Sequence, residues 1–534
     1  MALSEVWQML RDALMPVEKH SLYVLAAILF GVLAVAYILY QRLLHPLARY
    51  PGPFWASITN SWQSLEWLTW YQPYRLADLH AKHGRFVRYG PNKISVTSPE
   101  AIQIIFVKGV KTFHKSNFYD TFGLKSNPNI FNNRNQETHA VRRRLFLKSF
   151  SPQAVATYES TIDEQLAVMR SKIRYCCEQR EPFDLKKMLY HFMCDAISSL
   201  MLSNTYGIQH TGAEELVPDD HHINISAVAS GAWPLMHWLL VLNFFTPFPR
   251  AWRAFHSNFT CFKWVASCVK SRIDEISKGH RPECRDVLSR LILNNNEETD
   301  QSKKVNEAQL IAETFGFVIA GIPPASGTMA LLFWNLLHNP DIMRDVVKEI
   351  DERLPNMGPQ DNPYTSSAVE SNLPFLRNCV KENFRINPVF TMPLERKVTE
   401  DQGVTLDGQL FPKGTIIAVS NYSFHHDPTV WGDDHMVFDP SRWEGGSMKE
   451  LSKLMMHFSV GGRQCIGKAL ATTIIYKTIG TILSEFSFEL ADPKEKRDAE
   501  MGLFRGKVAK QYSVGISDLS GPLMVVGKAR NQSK

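Results

Sequence analysis

The stretch Phe458-Ser-Val-Gly461-Gly-Arg463-Gln-Cys465-Ile-Gly467 constrains this chain more than any other. It sets one cysteine between two glycines, with a cation two residues before it, and opens onto residues 468–483, an apolar run with helical periodicity. Each residue type has a physical use. Gly461 and Gly467 carry no Cβ, so backbone can approach a flat ring system closely. Arg463 is a permanent cation suited to a carboxylate. Cys465, just ahead of a helix, gains from the N-terminal dipole and amides, which favour a thiolate. A chance match to Phe-x-x-Gly-x-Arg-x-Cys-x-Gly in a chain of 534 residues is about one in ten thousand.

Two further motifs precede it. In Lys381-Glu382-Asn-Phe-Arg385 the spacing of three puts the carboxylate and the guanidinium on one helical face, where they can pair. Phe438-Asp-Pro440-Ser-Arg442-Trp443 follows, between that helix and the cysteine. In order, spacing and position the three motifs resemble the cytochrome P450 family, over nearly everything after residue 45. The resemblance implies a heme b group (iron protoporphyrin IX) whose iron takes Cys465 as its axial thiolate, with Phe458, Gly461, Arg463 and Gly467 around it. It makes Glu382, Arg385 and Arg442 structural residues that lock this region. In His139-Ala-Val-Arg142-Arg143-Arg144 it selects Arg143 as a propionate ligand and His139 as a second donor, and in Pro393-Leu-Glu-Arg396 it selects Arg396.

The rest of the composition narrows the function classes. With 44% hydrophobic residues the chain can bury a large core. A net charge of +6 is spread out, with no arginine-rich tail, so nucleic acid is not an expected partner. Eight cysteines without a CxxC pattern make a zinc or disulfide framework unexpected. The histidine pairs 221–222 and 425–426 are no metal site either, since adjacent side chains on a helix or strand point apart. Residues 21–41 carry no charge and are long enough to cross a bilayer as a helix. No small-residue cleavage site follows, which argues against a removed signal peptide. Flanking charges nearly balance across the span, and the resemblance breaks the tie by placing the body in the cytoplasm. The expected organisation is a lumenal segment 1–20, a single-pass anchor 21–41, a proline-rich connector 42–53 and a catalytic domain 54–534, on the endoplasmic reticulum membrane.

The body reads as mostly α with a minor β portion. Helical periodicity is plain at 159–173, 264–276 and 341–354, and short strands with turns at 90–97 and 408–419. The most unusual helix is central. Asn306 and Gln309 form a capping box at its start, and Asn339-Pro340 closes it. Within it runs Ala320-Gly321-Ile-Pro323-Pro324-Ala-Ser326-Gly-Thr328. By resemblance a P450 has an acid and a threonine where this chain has Pro323 and Pro324, a pair that helps deliver protons during oxygen activation. Prolines donate nothing, and they free the carbonyls of Ile319 and Ala320 while fixing a bend. Ser326 or Thr328 would be the nearest hydroxyls to take over.

These readings imply a monooxygenase that oxidises a lipophilic small molecule, a secondary-metabolite intermediate such as a terpenoid, polyketide or alkaloid. No flavin or Gly-rich nucleotide module is evident, so electrons are expected from NADPH–cytochrome P450 reductase. The missing acid–alcohol pair raises a second reading: the same haem chemistry without oxygen insertion, as isomerase, dehydratase, desaturase or coupling enzyme. A third is a haem-binding sensor without turnover. The resemblance places substrate walls at 113–131, 231–245, 320–325, 389–394 and 502–505.

Overall fold

The computed structural model describes residues 2–109, 112–123, 127–213, 217–236, 238, 249–280, 286–355, 361–445 and 448–530. Most of the 231–245 stretch therefore lies outside the described residues. The molecule is mostly helical with small sheets, as its periodicity predicts.

The central helix, Glu307–His338, is the axis of the packing. Asn306 accepts from the Gln309 amide at 2.8 Å while the Gln309 side chain accepts from the Asn306 amide at 3.0 Å, the reciprocal cap the sequence announces. From Ala325 to His338 every residue is buried, so the second half is apolar all round and surrounded by protein. Pro323 and Pro324 lie inside the helix without ending it. Each removes a backbone donor and costs about 3 kcal/mol in an exposed helix interior. Here burial of the fourteen residues after them holds the helix together. Gly321 packs on Ile197 of the neighbouring helix Leu185–Leu202, where a Cβ would lie 3.0 Å from the isoleucine tip. That contact fixes the rotational setting of the central helix.

A five-stranded sheet stands beside the helices. Its strands run in the order Phe86–Gly90, Lys93–Val96, Ile416–Ala418, Arg396–Val398, Phe113–Lys115. All neighbours are antiparallel except Lys93–Val96 with Ile416–Ala418. In the last pair Lys115 stands directly opposite Arg396, and both are buried.

The N-terminal helix runs from Ala2 to Leu39 and continues as a π-turn to Leu44. The apolar stretch Ser21–Leu44 has a mean hydropathy of 2.6, its most apolar window is not buried against the body, and it is long enough to span a bilayer. At residue 41, the expected end of the anchor, the helix meets the body. Gln41 is buried, because Arg88 of the first strand donates to its carbonyl at 2.7 Å and to its side-chain oxygen at 2.6 Å. Tyr37 adds a hydrogen bond to the Ile58 carbonyl at 2.9 Å. Leu47 and Tyr50 are buried as well, so the connector is packed on the body at these two positions.

Candidate active site

The cysteine loop is shaped by backbone. Gly461 has φ +73°, a left-handed setting, and a Cβ there would collide with the carbonyl oxygen of Phe106. A close approach of protein backbone therefore already requires a glycine at this position. Gly467 differs: a Cβ there would meet only Cys465 Sγ, at 3.9 Å. The Cys465 amide donates to the Phe458 carbonyl at 2.8 Å, closing the loop ahead of helix Lys468–Glu485. The Phe458 ring meets Phe384 edge-on at 5.3 Å, which fastens the loop to helix Pro374–Ile386.

Cys465 retains accessible surface although protein surrounds it, so that surface faces an internal space. Burial pushes its thiol up; the Gly467 amide, the Arg143 guanidinium and Lys468 oppose this without overcoming it. The helix-terminus effect expected from sequence is therefore present and outweighed by desolvation.

Beside the loop is a cluster of basic groups. Arg143 donates to the Gln464 carbonyl at 2.7 Å. Arg463 donates to Gln136 Oε1 at 3.1 and 2.8 Å and to the Asn133 carbonyl at 2.7 Å. Arg396 donates to Tyr119 at 3.1 Å and to the Glu395 carbonyl at 2.9 Å. Lys115 donates to the Phe131 carbonyl, and its ammonium lies 4.2 Å from the Tyr119 ring centre and 4.5 Å from that of Phe131. Burial, then Arg396 and Arg463, pushes the Lys115 ammonium well below its usual value. His139 is held neutral by burial and then by Arg463, Lys115, Arg143 and Arg396. Among the described residues, no carboxylate forms an ion pair with Lys115, Arg143, Arg396 or Arg463. Like charges facing each other on paired strands destabilise a sheet, and buried unpaired charge is costly. A cradle of this kind fits an anion that the protein does not itself supply. Two carboxylates on a flat ring whose metal takes one thiolate match both halves of the site, so the residues present fit haem.

The triple arginine divides cleanly. Arg142 is buried and pairs with Glu313 of the central helix at 3.0 Å, Arg143 turns to the cysteine loop, and Arg144 is exposed. Burial pushes Glu313 up to about 7, against the Ile130 amide and Arg142.

Glu382 and Arg385 form a two-pronged pair, at 2.7 and 3.0 Å, with both side chains fully buried. Arg385 also donates to the carbonyls of His425, His435 and Val437 at 3.1, 2.7 and 3.3 Å. Arg442 Nε stands 3.5 Å from Glu382, an ion-pair contact without hydrogen-bond geometry, while its Nη2 bonds Asp434 at 2.7 Å. Trp443 donates to Glu382 at 3.0 Å.

On the central helix Ala320 is the one exposed residue between Gln309 and His338, and Pro323 and Pro324 are half-buried. A side chain exposed in mid-core marks an internal space. Ser326 donates to the carbonyls of Ile322 and Pro323 at 3.0 and 3.2 Å, and Thr328 to that of Pro324 at 2.7 Å. Both hydroxyls are buried and turned back on their own helix, so neither replaces the missing alcohol.

One expected wall is misplaced. Within 502–505, Phe504 packs on Trp334 and His338, whose ring centres lie 6.0 and 4.3 Å away. That is about 20 Å along the helix from Ala320. The C-terminal segment that does cover the central helix is the hairpin Gln511–Ser513 and Ser517–Leu519, where the Ser517 carbonyl would lie 3.3 Å from a Cβ on Gly327. Sequence reasoning also missed Lys115, Trp443, Gln136 and Asn133. Only the strand register could have revealed Lys115.

Comparison with known proteins gives one consistent result. A family model described as Cytochrome P450 matches residues 51–514. A pisatin demethylase of Fusarium vanettenii is 26% identical over 487 residues, covering 86% of this chain and 89% of its own. A cytochrome P450 monooxygenase of Penicillium aethiopicum, gsfF, is 26% identical and covers 93% of this chain and 99% of its own. Another, pkfB of Emericella nidulans, is 28% identical and covers 90% and 92%.

Proposed function

Since the chain belongs to the cytochrome P450 family of oxidoreductases, we propose that it is a membrane-anchored monooxygenase of fungal type that oxidises a lipophilic small molecule in secondary metabolism. The observation that carries this reading is the cysteine loop set against a buried, uncompensated cationic cradle. Haem, in the b form, supplies the oxygen chemistry when bound, with electrons from outside the chain. The chain's own residues do the rest. Cys465 offers the thiolate, and the Gly467 amide hydrogen-bonds it. Lys115, Arg143, Arg396 and Arg463 hold the two propionates, with neutral His139 among them. Glu382, Arg385, Arg442 and Trp443 keep the segment before the cysteine loop rigid. Ala320 leaves room for oxygen and substrate beside the central helix. NADPH–cytochrome P450 reductase is the proposed electron donor, at the cytoplasmic face of the endoplasmic reticulum.

A second reading, reaction without oxygen insertion, is favoured by one observation: Pro323 and Pro324 cannot donate protons, and Ser326 and Thr328 are bonded elsewhere. Metabolite profiles of cells with and without this gene, grown under isotopically heavy O2, separate the two. Product enriched in heavy oxygen is expected for the monooxygenase. Unlabelled product, isomeric with its precursor or poorer in hydrogen, would replace it with the second reading.

A further inference from the structure

The face of the central helix that carries Ala320 is covered at both ends and open between them. At 100° per residue, Gly316, Ala320, Pro324 and Gly327 fall within about 80° of one another. Over Gly316 sits the Asn129 amide, which would lie 3.2 Å from a Cβ there. Over Gly327 sit the Ser517 carbonyl, the Asp518 carboxylate, whose Oδ1 accepts from the Leu519 amide, and Val389. From these two covering segments Phe131 and Phe390 reach towards each other and meet edge-on, ring centres 6.2 Å apart, with Phe122 edge-on to Phe131 at 5.4 Å. The open bay is thus bounded by aromatic rings that are themselves only partly buried.

Between its two ends, what the bay offers in polar groups is set by the prolines. A helix carbonyl points towards the residue four places on, and its usual donor is that residue's N–H. Proline has none, so the carbonyls of Ile319 and Ala320 lack their helical donors, and both point to the side of Pro323 and Pro324, the open side. Ser326 and Thr328 donate to other carbonyls. Asn129 donates to the Phe122 carbonyl at 3.5 Å.

We propose that the tandem prolines make the Ile319 and Ala320 carbonyls a pair of acceptors that selects, from among aromatic molecules, one bearing a hydroxyl or amine donor. The donor is held beside the oxygen-binding side, where the missing acid–alcohol pair would have stood. This rests on the P450 reading and specifies the substrate class of the same site.

The test is a titration of the haem-loaded full-length protein with 1-naphthol and with 1-methoxynaphthalene, followed by the displacement of the haem absorption band. The two probes share the ring system and differ in the donor. The expected result is tighter binding of the naphthol by about tenfold, the worth of one good neutral hydrogen bond. In Pro323→Ala/Pro324→Ala, which restores both N–H groups, the preference falls to about unity while the ether binds as before. The single Pro324→Ala variant, which re-pairs only Ala320, gives an intermediate ratio. Equal binding of the two probes by the natural chain, binding of neither, or an undiminished preference in the double variant overturns the proposal. Failure of the P450 reading is separately visible, as loss of the thiolate-type carbon monoxide spectrum in the same preparations.

Discussion

Lys115 and Arg396 face each other on paired strands and, among the described residues, neither pairs with an acid, which is unfavourable until an anion arrives. Lys115→Met should therefore stabilise the haem-free protein, by on the order of 1 kcal/mol, while speeding haem loss from the loaded one. Thermal midpoints of both forms and the rate of haem transfer to a scavenging apoglobin measure the two effects. A drop in both midpoints would mean that Lys115 is only a packing residue. Glu382 works the other way. It is the acceptor for Arg385 and Trp443, fully buried. Glu382→Ala leaves a guanidinium unpaired in the core and should cost about 3–5 kcal/mol. Denaturant titration checks this, and a loss below about 1 kcal/mol would contradict it.

At the scale of elements, sequence legibility follows how far apart the partners lie in the chain. The capping box at Asn306 and Gln309, the Glu382–Arg385 pair and the loop before Lys468 are local patterns, and each forms where the spacing indicates. Lys115 opposite Arg396, Arg88 gripping Gln41 and the hairpin over Gly327 depend on register and crossing, which no local period encodes. The same distinction explains the error at 502–505 and why the motif alone does not reveal the Phe106 carbonyl beside Gly461. Gly461→Ala should abolish the loop, since φ +73° and the Phe106 carbonyl exclude a Cβ together. The expected outcome is folded protein that no longer gives a thiolate-type spectrum, checked by circular dichroism and absorbance on one sample. Pro324→Ala should raise the thermal midpoint, because it replaces a poor helix residue with the best one, a gain of up to about 3 kcal/mol.

For the whole molecule, several histidines are held neutral inside the fold. Burial is the first cause for His80, held down to about 4, and for His426 and His457, each to about 3. Their folded values lie below the unfolded value of about 6.5, so the unfolded chain binds more protons below that pH. Stability should be full above about pH 6.5 and fall steadily as pH drops below it. Denaturation midpoints between pH 8 and pH 5 measure the slope, and a flat profile would contradict the burial of these rings. The anchor is also part of the whole. Arg88 ties the end of the apolar N-terminal helix to the first strand of the catalytic body, so the two are joined rigidly at the proposed membrane surface.

The proposed chemistry depends on one coordinate bond, from Cys465 to the haem iron. The most direct measurement is the difference spectrum of the reduced full-length protein with and without carbon monoxide, for the natural chain and for Cys465→Ala at matched haem content. A thiolate-type band in the first that is absent from the second is the predicted result. The same band persisting in Cys465→Ala, or missing from the natural chain with haem bound, would contradict the account.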